Sequence, residues 1–450
     1  MRQPRSAAST RLGLGALILG LVGRPAGVAA NGRFPSAQHV VIGPGAASEV
    51  LALRTTFGVL SSEDGGARWH WRCEEQLGYL YTAVWDPPIE LGSRGPDGTP
   101  LLVGLTDGLT LSLDTCGARP IAPLAGRFTG DLTRAPDGQT IFWVSSDQNP
   151  NGVAVSRDGG RTFVRQRATV SGVLFETIEQ CPSAPARLYL TGVTLDEPQR
   201  AVLYRSDDQG DTLTEVPVAL APGVSHLFLS GVDAADPEHL WFRATLERTA
   251  ATVLLESRDG GRQMVERFRS QGALTGFALR PDGRGVWVGS REPGEGLYLA
   301  RGDGEFARVA PYRVACLRFH AGALYVCGDE LSDGFALGRS TDEGRSVTPL
   351  LRLGAPLERP ACAADSVWAA RCDPFWPLLD STLRPLRDAG APDARDAPGD
   401  LGAVTRDAGP PPSASARGCG CETSADASAH GVWALGVALA MGLSRRRRPR

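Results

Sequence analysis

The chain has 450 residues, 42% of them hydrophobic, with 47 basic residues against 50 acidic ones and a net charge of −3. This length and apolar content support a large folded core, and the near balance of charge excludes a highly charged disordered chain or a nucleic-acid binder working through bulk charge. No lysine occurs, so every basic residue is arginine, as expected of a GC-rich genome. At the N-terminus, Arg2, Arg5 and Arg11 flank and precede an apolar run from Leu12 to Gly23, and Val28-Ala29-Ala30 offers small residues for cleavage before Asn31. This is the layout of a secretory signal peptide over residues 1–30. The run is apolar all round, whereas a buried first helix would show one apolar face.

Downstream, one motif recurs. Ser62-Glu63-Asp64-Gly65-Gly66-Ala67-Arg68-Trp69 returns as Ser156-Arg157-Asp158-Gly159-Gly160-Arg161-Thr162-Phe163 and as Ser206-Asp207-Asp208-Gln209-Gly210. It returns again as Ser257-Arg258-Asp259-Gly260-Gly261 and Ser340-Thr341-Asp342-Glu343-Gly344, with weaker copies at Ser112-Leu113-Asp114 and Gly302-Asp303-Gly304. The motif aspartates lie 39 to 51 residues apart, the period of a repeating supersecondary unit. Aspartate can accept backbone N–H bonds inside a tight turn, and glycine supplies a positive φ there. The aromatic residue that follows anchors the next strand. Segments such as Arg187-Leu188-Tyr189-Leu190 and Ala201-Val202-Leu203-Tyr204 read as short strands.

The pattern resembles the Asp-box, or BNR repeat, of sialidases, sortilin-type receptors, xyloglucanases and photosystem II assembly factors. The resemblance implies an all-β β-propeller over residues 31–383, each blade a strand, a hairpin to a second and third strand, the Asp-box turn and a fourth strand. Seven markers predict seven four-stranded blades, with six or eight as alternatives. Segments around His39-Val40-Val41-Ile42 and Ser366-Val367-Trp368 flank the array and are expected to share one closing blade. The motif residues, Ser62, Asp64, Gly66 and Trp69 with their counterparts, are then structural turns at blade peripheries. Arg301-Gly302-Asp303 reads as the degenerate turn rather than an adhesion tripeptide.

An exported chain can form disulfides. Cys316 and Cys327 flank the hairpin centred on Ala321-Gly322 and fall opposite each other, so they are expected to pair. Cys362 and Cys372 are expected to pair in the same way, and the partners of Cys73, Cys116 and Cys181 stay open. The six histidines show no paired metal-ligand spacing, Asp207-Asp208-Gln209-Gly210-Asp211 lacks the terminal Glu of a calcium loop, and no serine elbow occurs. No catalytic residue, metal or cofactor is therefore assigned.

Residues 384–417 are rich in Ala, Pro, Asp and Gly, including Pro410-Pro411-Pro412, and read as an extended disordered spacer. Gly418-Cys419-Gly420-Cys421, the apolar run Gly431 to Leu443 and Arg445-Arg446-Arg447-Arg448 follow in that order. The run is short of the ~20 residues of a comfortable spanning helix, and arginines hold its end on the cytoplasmic side. Residues 418–450 resemble the MYXO-CTERM sorting segment of myxobacterial surface proteins. That resemblance implies transient insertion as a short transmembrane helix, processing by a membrane-embedded protease at Cys419 or Cys421, and attachment to the cell surface. Loss of the four arginines up to Ala30 and the five beyond Leu443 would leave 38 basic against 50 acidic residues, a net of −12.

The expected protein is a surface-anchored, monomeric propeller that binds an unidentified ligand, glycan or protein without catalysis. Sialidase-like or other glycoside hydrolysis and a passive envelope role are the alternatives. Loops over Pro87 to Thr99 and Asp147 to Gly152 are read as insertions decorating one face.

Overall fold

The computed structural model describes residues 34–79, 86–247 and 249–388. The expected signal segment, the expected spacer past Asp388 and the expected sorting segment with Cys419 and Cys421 lie outside the described residues. Seven four-stranded antiparallel sheets follow one another along the chain. They occupy residues 37–72, 89–120, 129–165, 173–216, 224–269, 274–310 and 316–351, and are blades 1 to 7. The seven-bladed all-β reading of the repeat stands.

The first strand of each blade lies innermost and touches the first strands of both neighbours. Ala37–Ile42 of blade 1 meets Cys316–His320 of blade 7 on one side and Ile89–Leu91 of blade 2 on the other. Middle strands such as Ile141–Ser145 are buried on both faces and read as continuous apolar runs. Outermost strands such as Val164–Arg165 and Val265–Arg269 are largely exposed. The apolar core is accordingly divided: seven clusters, one at each blade-to-blade interface.

Closure departs from the sequence reading. Blade 1 draws all four strands from the N-terminal side and blade 7 all four from residues 316–351, so the ends share no blade. Ser366-Val367-Trp368 is not a strand; past the four-residue helix α1 (Glu74–Leu77) earlier in the chain, Ser366 caps a second short helix, α2 (Val367–Arg371), by accepting from Ala369 N at 3.1 Å. A third helix, α3 (Trp376–Asp388), buries Leu379, Leu383 and Leu386, the i, i+4, i+7 stripe of an amphipathic helix. It carries regular structure through Arg384–Asp388, which composition assigns to the spacer.

Together these residues form a strap over the seam between blades 7 and 1. Glu358 N donates to Trp69 O at 3.0 Å, and Trp368 Nε1 donates to Trp71 O at 2.9 Å. Leu379, Leu383, Leu386 and Trp368 complete the apolar cluster of that seam. The expected Cys362–Cys372 bond is absent because the chain leaves strand register there. Instead Cys372 pairs with Cys73 and Cys362 with Cys116, spanning 299 and 246 residues. Cys316 pairs with Cys327 across the predicted hairpin, whose turn residues Ala321 and Gly322 have φ of 47° and 80°. Among the described residues Cys181 has no disulfide partner and is buried, and burial pushes its thiol up to about 12. Pro87 to Thr99 is likewise no insertion, since it contains the innermost strand Ile89–Leu91. Asp147 to Gly152 is a loop between strands of blade 3, pinned by Arg127, whose Nε donates to Asp147 Oδ2 at 2.6 Å. No helix among the described residues is long and apolar enough to cross a membrane.

The long strap disulfides remove more unfolded-chain entropy than the hairpin one, since the effect grows with loop length. Removing both (Cys73→Ser with Cys116→Ser) is expected to cost at least about 4 kcal/mol, against about 2–3 kcal/mol for Cys316→Ser/Cys327→Ser. Urea unfolding of the oxidised proteins checks this, and a larger loss from the hairpin pair would contradict it.

Candidate functional site

The recurrent turns lie between third and fourth strands, at the outer part of each blade. In five of them the bonding is the same. Ser156 Oγ donates to Asp158 Oδ1 at 2.7 Å and accepts from Gly160 N at 2.8 Å. Asp158 then accepts from Thr162 N and Thr162 Oγ1 at 2.9 and 2.6 Å. Ser62/Asp64/Gly66, Ser206/Asp208/Gly210, Ser257/Asp259/Gly261 and Ser340/Asp342/Gly344 repeat the serine bonds. The hydrogen bonds from Arg68 and Ser346 hold the carboxyls of Asp64 and Asp342 down at about 2. In the two degenerate copies Asp114 accepts from Cys116 N and Gly117 N instead, and Asp303 is exposed and pairs with Arg258.

The turn glycine does a second thing. Gly160, Gly210, Gly261 and Gly344 have φ of 92° to 94°, and a Cβ there would stand 2.1 to 2.7 Å from Leu102, Val153, Leu203 and Leu297 of the preceding blade. Gly66 faces Leu350 of blade 7 across the closing seam, where Trp69 Nε1 also donates to Leu350 O at 3.2 Å. Phe163 is buried at the interface of blades 2 and 3. These residues are joints between blades, and their carboxylates are already committed.

Chemistry gathers instead at the axis. Arg134, on the innermost strand of blade 3, pairs with Glu90 of blade 2 at 3.1 Å and donates to Leu91 O and to Ile42 O of blade 1. Thr133 Oγ1 donates to Glu179 Oε2 of blade 4 at 3.1 Å, and Ile178 N to Asp131 Oδ2 at 3.1 Å. His226 of blade 5 meets Glu176 of blade 4 at 2.7 Å. Arg54 donates to Pro87 O at 2.7 Å and Arg243 to Leu274 O at 2.8 Å, each reaching the next blade.

Charges from non-adjacent blades also feel one another here. His39 of blade 1 stands in the field of Arg243 of blade 5 as well as that of Arg318 of neighbouring blade 7, and Glu179 of blade 4 in that of Arg318. Only the bore of the ring can bring these together. Enclosure, followed by the charges of Arg54, Arg318 and Arg243, drives the His39 pKa down to about 3, so the ring is neutral. Enclosure lifts Asp131 to about 7, with the Glu90 charge adding to it. Enclosure and the charge of Asp131 lift Glu179 to about 8. At His226 burial opposes the charged ring, but the Glu176 carboxylate outweighs it and raises the pKa. The bore therefore carries the carboxyls of Glu90, Asp131, Glu176 and Glu179 on blades 2 to 4, with Arg134 among them committed to Glu90, and cationic or neutral bases on blades 5, 7 and 1. Among the described residues no cluster of three or more His, Cys, Asp or Glu is arranged to hold a metal.

No sequence motif marks this cluster. Its signal is one or two charged residues inside otherwise apolar innermost strands, as in Val173–Cys181 with Glu176 and Glu179. A shallow depression of about 240 Å³ beside Arg157, Asp158 and Thr162 lies on the outer part of blade 3, away from the bore.

The two raised carboxyls give a pH signature. Folded Asp131 and Glu179 hold protons that the unfolded chain releases in the ordinary carboxylate range, so the folded state binds more protons between there and about pH 8. Stability should fall as pH rises through that window. Glu179→Gln should flatten the slope in urea unfolding measured from pH 5 to 9; an unchanged slope would contradict the assignment.

No family model matches the chain, and no curated protein matches it either. Among solved structures it is similar to Kuenenia stuttgartiensis hydrazine synthase, at 12% identity and TM-score 0.48 over 68% of this chain and 96% of that one. It is also similar to the Myceliophteria thermophila Cps50 (Swd1) β-propeller domain, at 13% identity and TM-score 0.41 over 66% and 94%. The GH74 xyloglucanase from Xanthomonas campestris aligns at 16% identity and TM-score 0.34 over 72% and 65%. At these values the likenesses carry no function to this chain, whose architecture rests on its own seven sheets.

Proposed function

We propose that this chain is an exported, surface-anchored propeller that binds a ligand at its axial bore without transforming it. The observation that carries the reading is the axial cluster, in which Arg318, His39, Asp131 and Glu179 from four blades converge where the fold needs no charge. Ionising an enclosed carboxyl is costly unless it is partnered, so a folded ring that holds Asp131 and Glu179 protonated in this cluster favours a ligand that supplies the partners. Three disulfides suit an oxidising compartment, in keeping with the signal-peptide layout. On this reading the serine–aspartate turns are Asp-boxes of the BNR kind, and the tail is a MYXO-CTERM-like sorting segment read by a membrane-embedded protease.

Glycoside hydrolysis is the second reading. Its support is the Asp131/Glu179 pair, since a carboxyl held protonated near neutrality can act as a general acid. Against it, both groups are hydrogen-bonded into neighbouring strands by Ile178 N and Thr133.

Incubation of the full chain with sialosides, polysaccharides and peptides separates the two. Saturable binding without product is expected, and turnover that Glu179→Gln abolishes would establish the hydrolase instead. Mass spectrometry of the cell-surface form tests the address: the C-terminus is expected upstream of the arginine run, and an intact Arg450 would contradict processing.

A further inference from the structure

The axial cluster contains uncommitted groups of opposite character on opposite walls. Arg318 stands on an innermost strand yet is exposed, and among the described residues its guanidinium makes no hydrogen bond. An innermost residue can be exposed only to the bore or its mouths. His39, half-buried beside it in blade 1, also makes no side-chain hydrogen bond among the described residues. The other cations of the bore are occupied: Arg54 and Arg243 by carbonyls, Arg134 by Glu90 and two carbonyls. On the far wall, Glu179 accepts one hydrogen bond, from Thr133, and Glu176, whose Oε1 meets His226, keeps its Oε2 buried with no hydrogen-bond partner among the described residues.

We propose that the bore takes a zwitterion, a free amino acid or a short peptide, with its carboxylate on Arg318 and its ammonium on Glu179 and Asp131. This rests on the binding reading above and adds the ligand's chemistry to it. A simple anion could pair with Arg318 but would offer no cation to the carboxyls of blades 3 and 4, which would stay protonated. A simple cation would settle against Glu179 but face Arg318. A neutral sugar would desolvate both walls and compensate neither. A ligand carrying both charges satisfies both walls, and its ammonium takes the place of the proton that Glu179 and Asp131 otherwise retain.

Titration calorimetry on the full chain tests this with alanine, alanylalanine, N-acetylalanylalanine and alanylalanine amide. The free amino acid or the dipeptide is expected to bind, and each singly charged analogue to bind at least about tenfold more weakly, as when one partner of an enclosed charge pair is removed. Which of alanine and alanylalanine binds more tightly distinguishes the two sources. Arg318→Gln should erase the preference over the amide, and Glu179→Gln the preference over the acetylated form. Binding at pH 7 should release protons, seen as a heat that changes with the buffer's ionisation enthalpy.

The analogue series on the unaltered chain needs no variant to fold. Equal affinity for zwitterion and acetylated peptide would overturn the proposal. If a polysaccharide binds and none of these four compounds does, the zwitterion site falls while the binding reading stands. If nothing binds, both fall.

Discussion

Everything in this molecule depends on each blade leaning on the one before it. At five of the seven joints the contact is made where a glycine in the left-handed region brings its backbone against an aliphatic side chain of the preceding blade, as Gly261 does on Leu203 and Gly344 on Leu297. The serine and aspartate of the same turn hold that backbone in place with hydrogen bonds, so the motif repeated along the chain sets the spacing between blades. A side chain at the glycine would be strained by its φ and would also push two blades apart. Because the core is seven interfaces rather than one mass, an error at one joint displaces the ring as a whole.

A ring of this kind has one interface that chain connectivity does not supply, between the last blade and the first. Many rings could close it by sharing a blade; here the strap does so. It covers blade 1 with Trp368 and the leucines of α3, then ties itself to the far side through Cys73 and Cys116. The hydrophobic contact and the covalent contact act on the same seam, and export into an oxidising compartment would make the second available.

Closure is also what creates the bore. Asp131, Glu179, Arg243, Arg318 and His39 stand on five blades and are far apart in sequence, yet each lies within the field of others across the axis. In strands that otherwise bury apolar side chains, such residues would be a burden to folding alone. Enclosure shifts their protonation away from ordinary values, which is a common mark of functional positions. The blade 3–4 wall and the blade 7–1 wall carry opposite character, and this asymmetry gives the bore its chemical direction.

The blade period, the Ser-x-Asp turns and the Cys316–Cys327 hairpin were legible in the sequence because each is local: a turn, its two strands and the residues facing across them. The pairing of Cys362 and Cys372 was not, because past residue 351 the chain turns helical and its partners sit some 250 to 300 residues away. The bore was not legible for a related reason. Glu179 within Val173–Cys181 looks like one polar residue in a strand until the ring places Arg318 opposite it. The most direct measurement is carbon NMR of the Asp131 and Glu179 carboxyls in the full chain, titrated with pH. Midpoints near 7 and 8 that vanish in the denatured protein are the predicted result, whereas midpoints in the ordinary carboxylate range near 4 would contradict an enclosed, charge-lined axis.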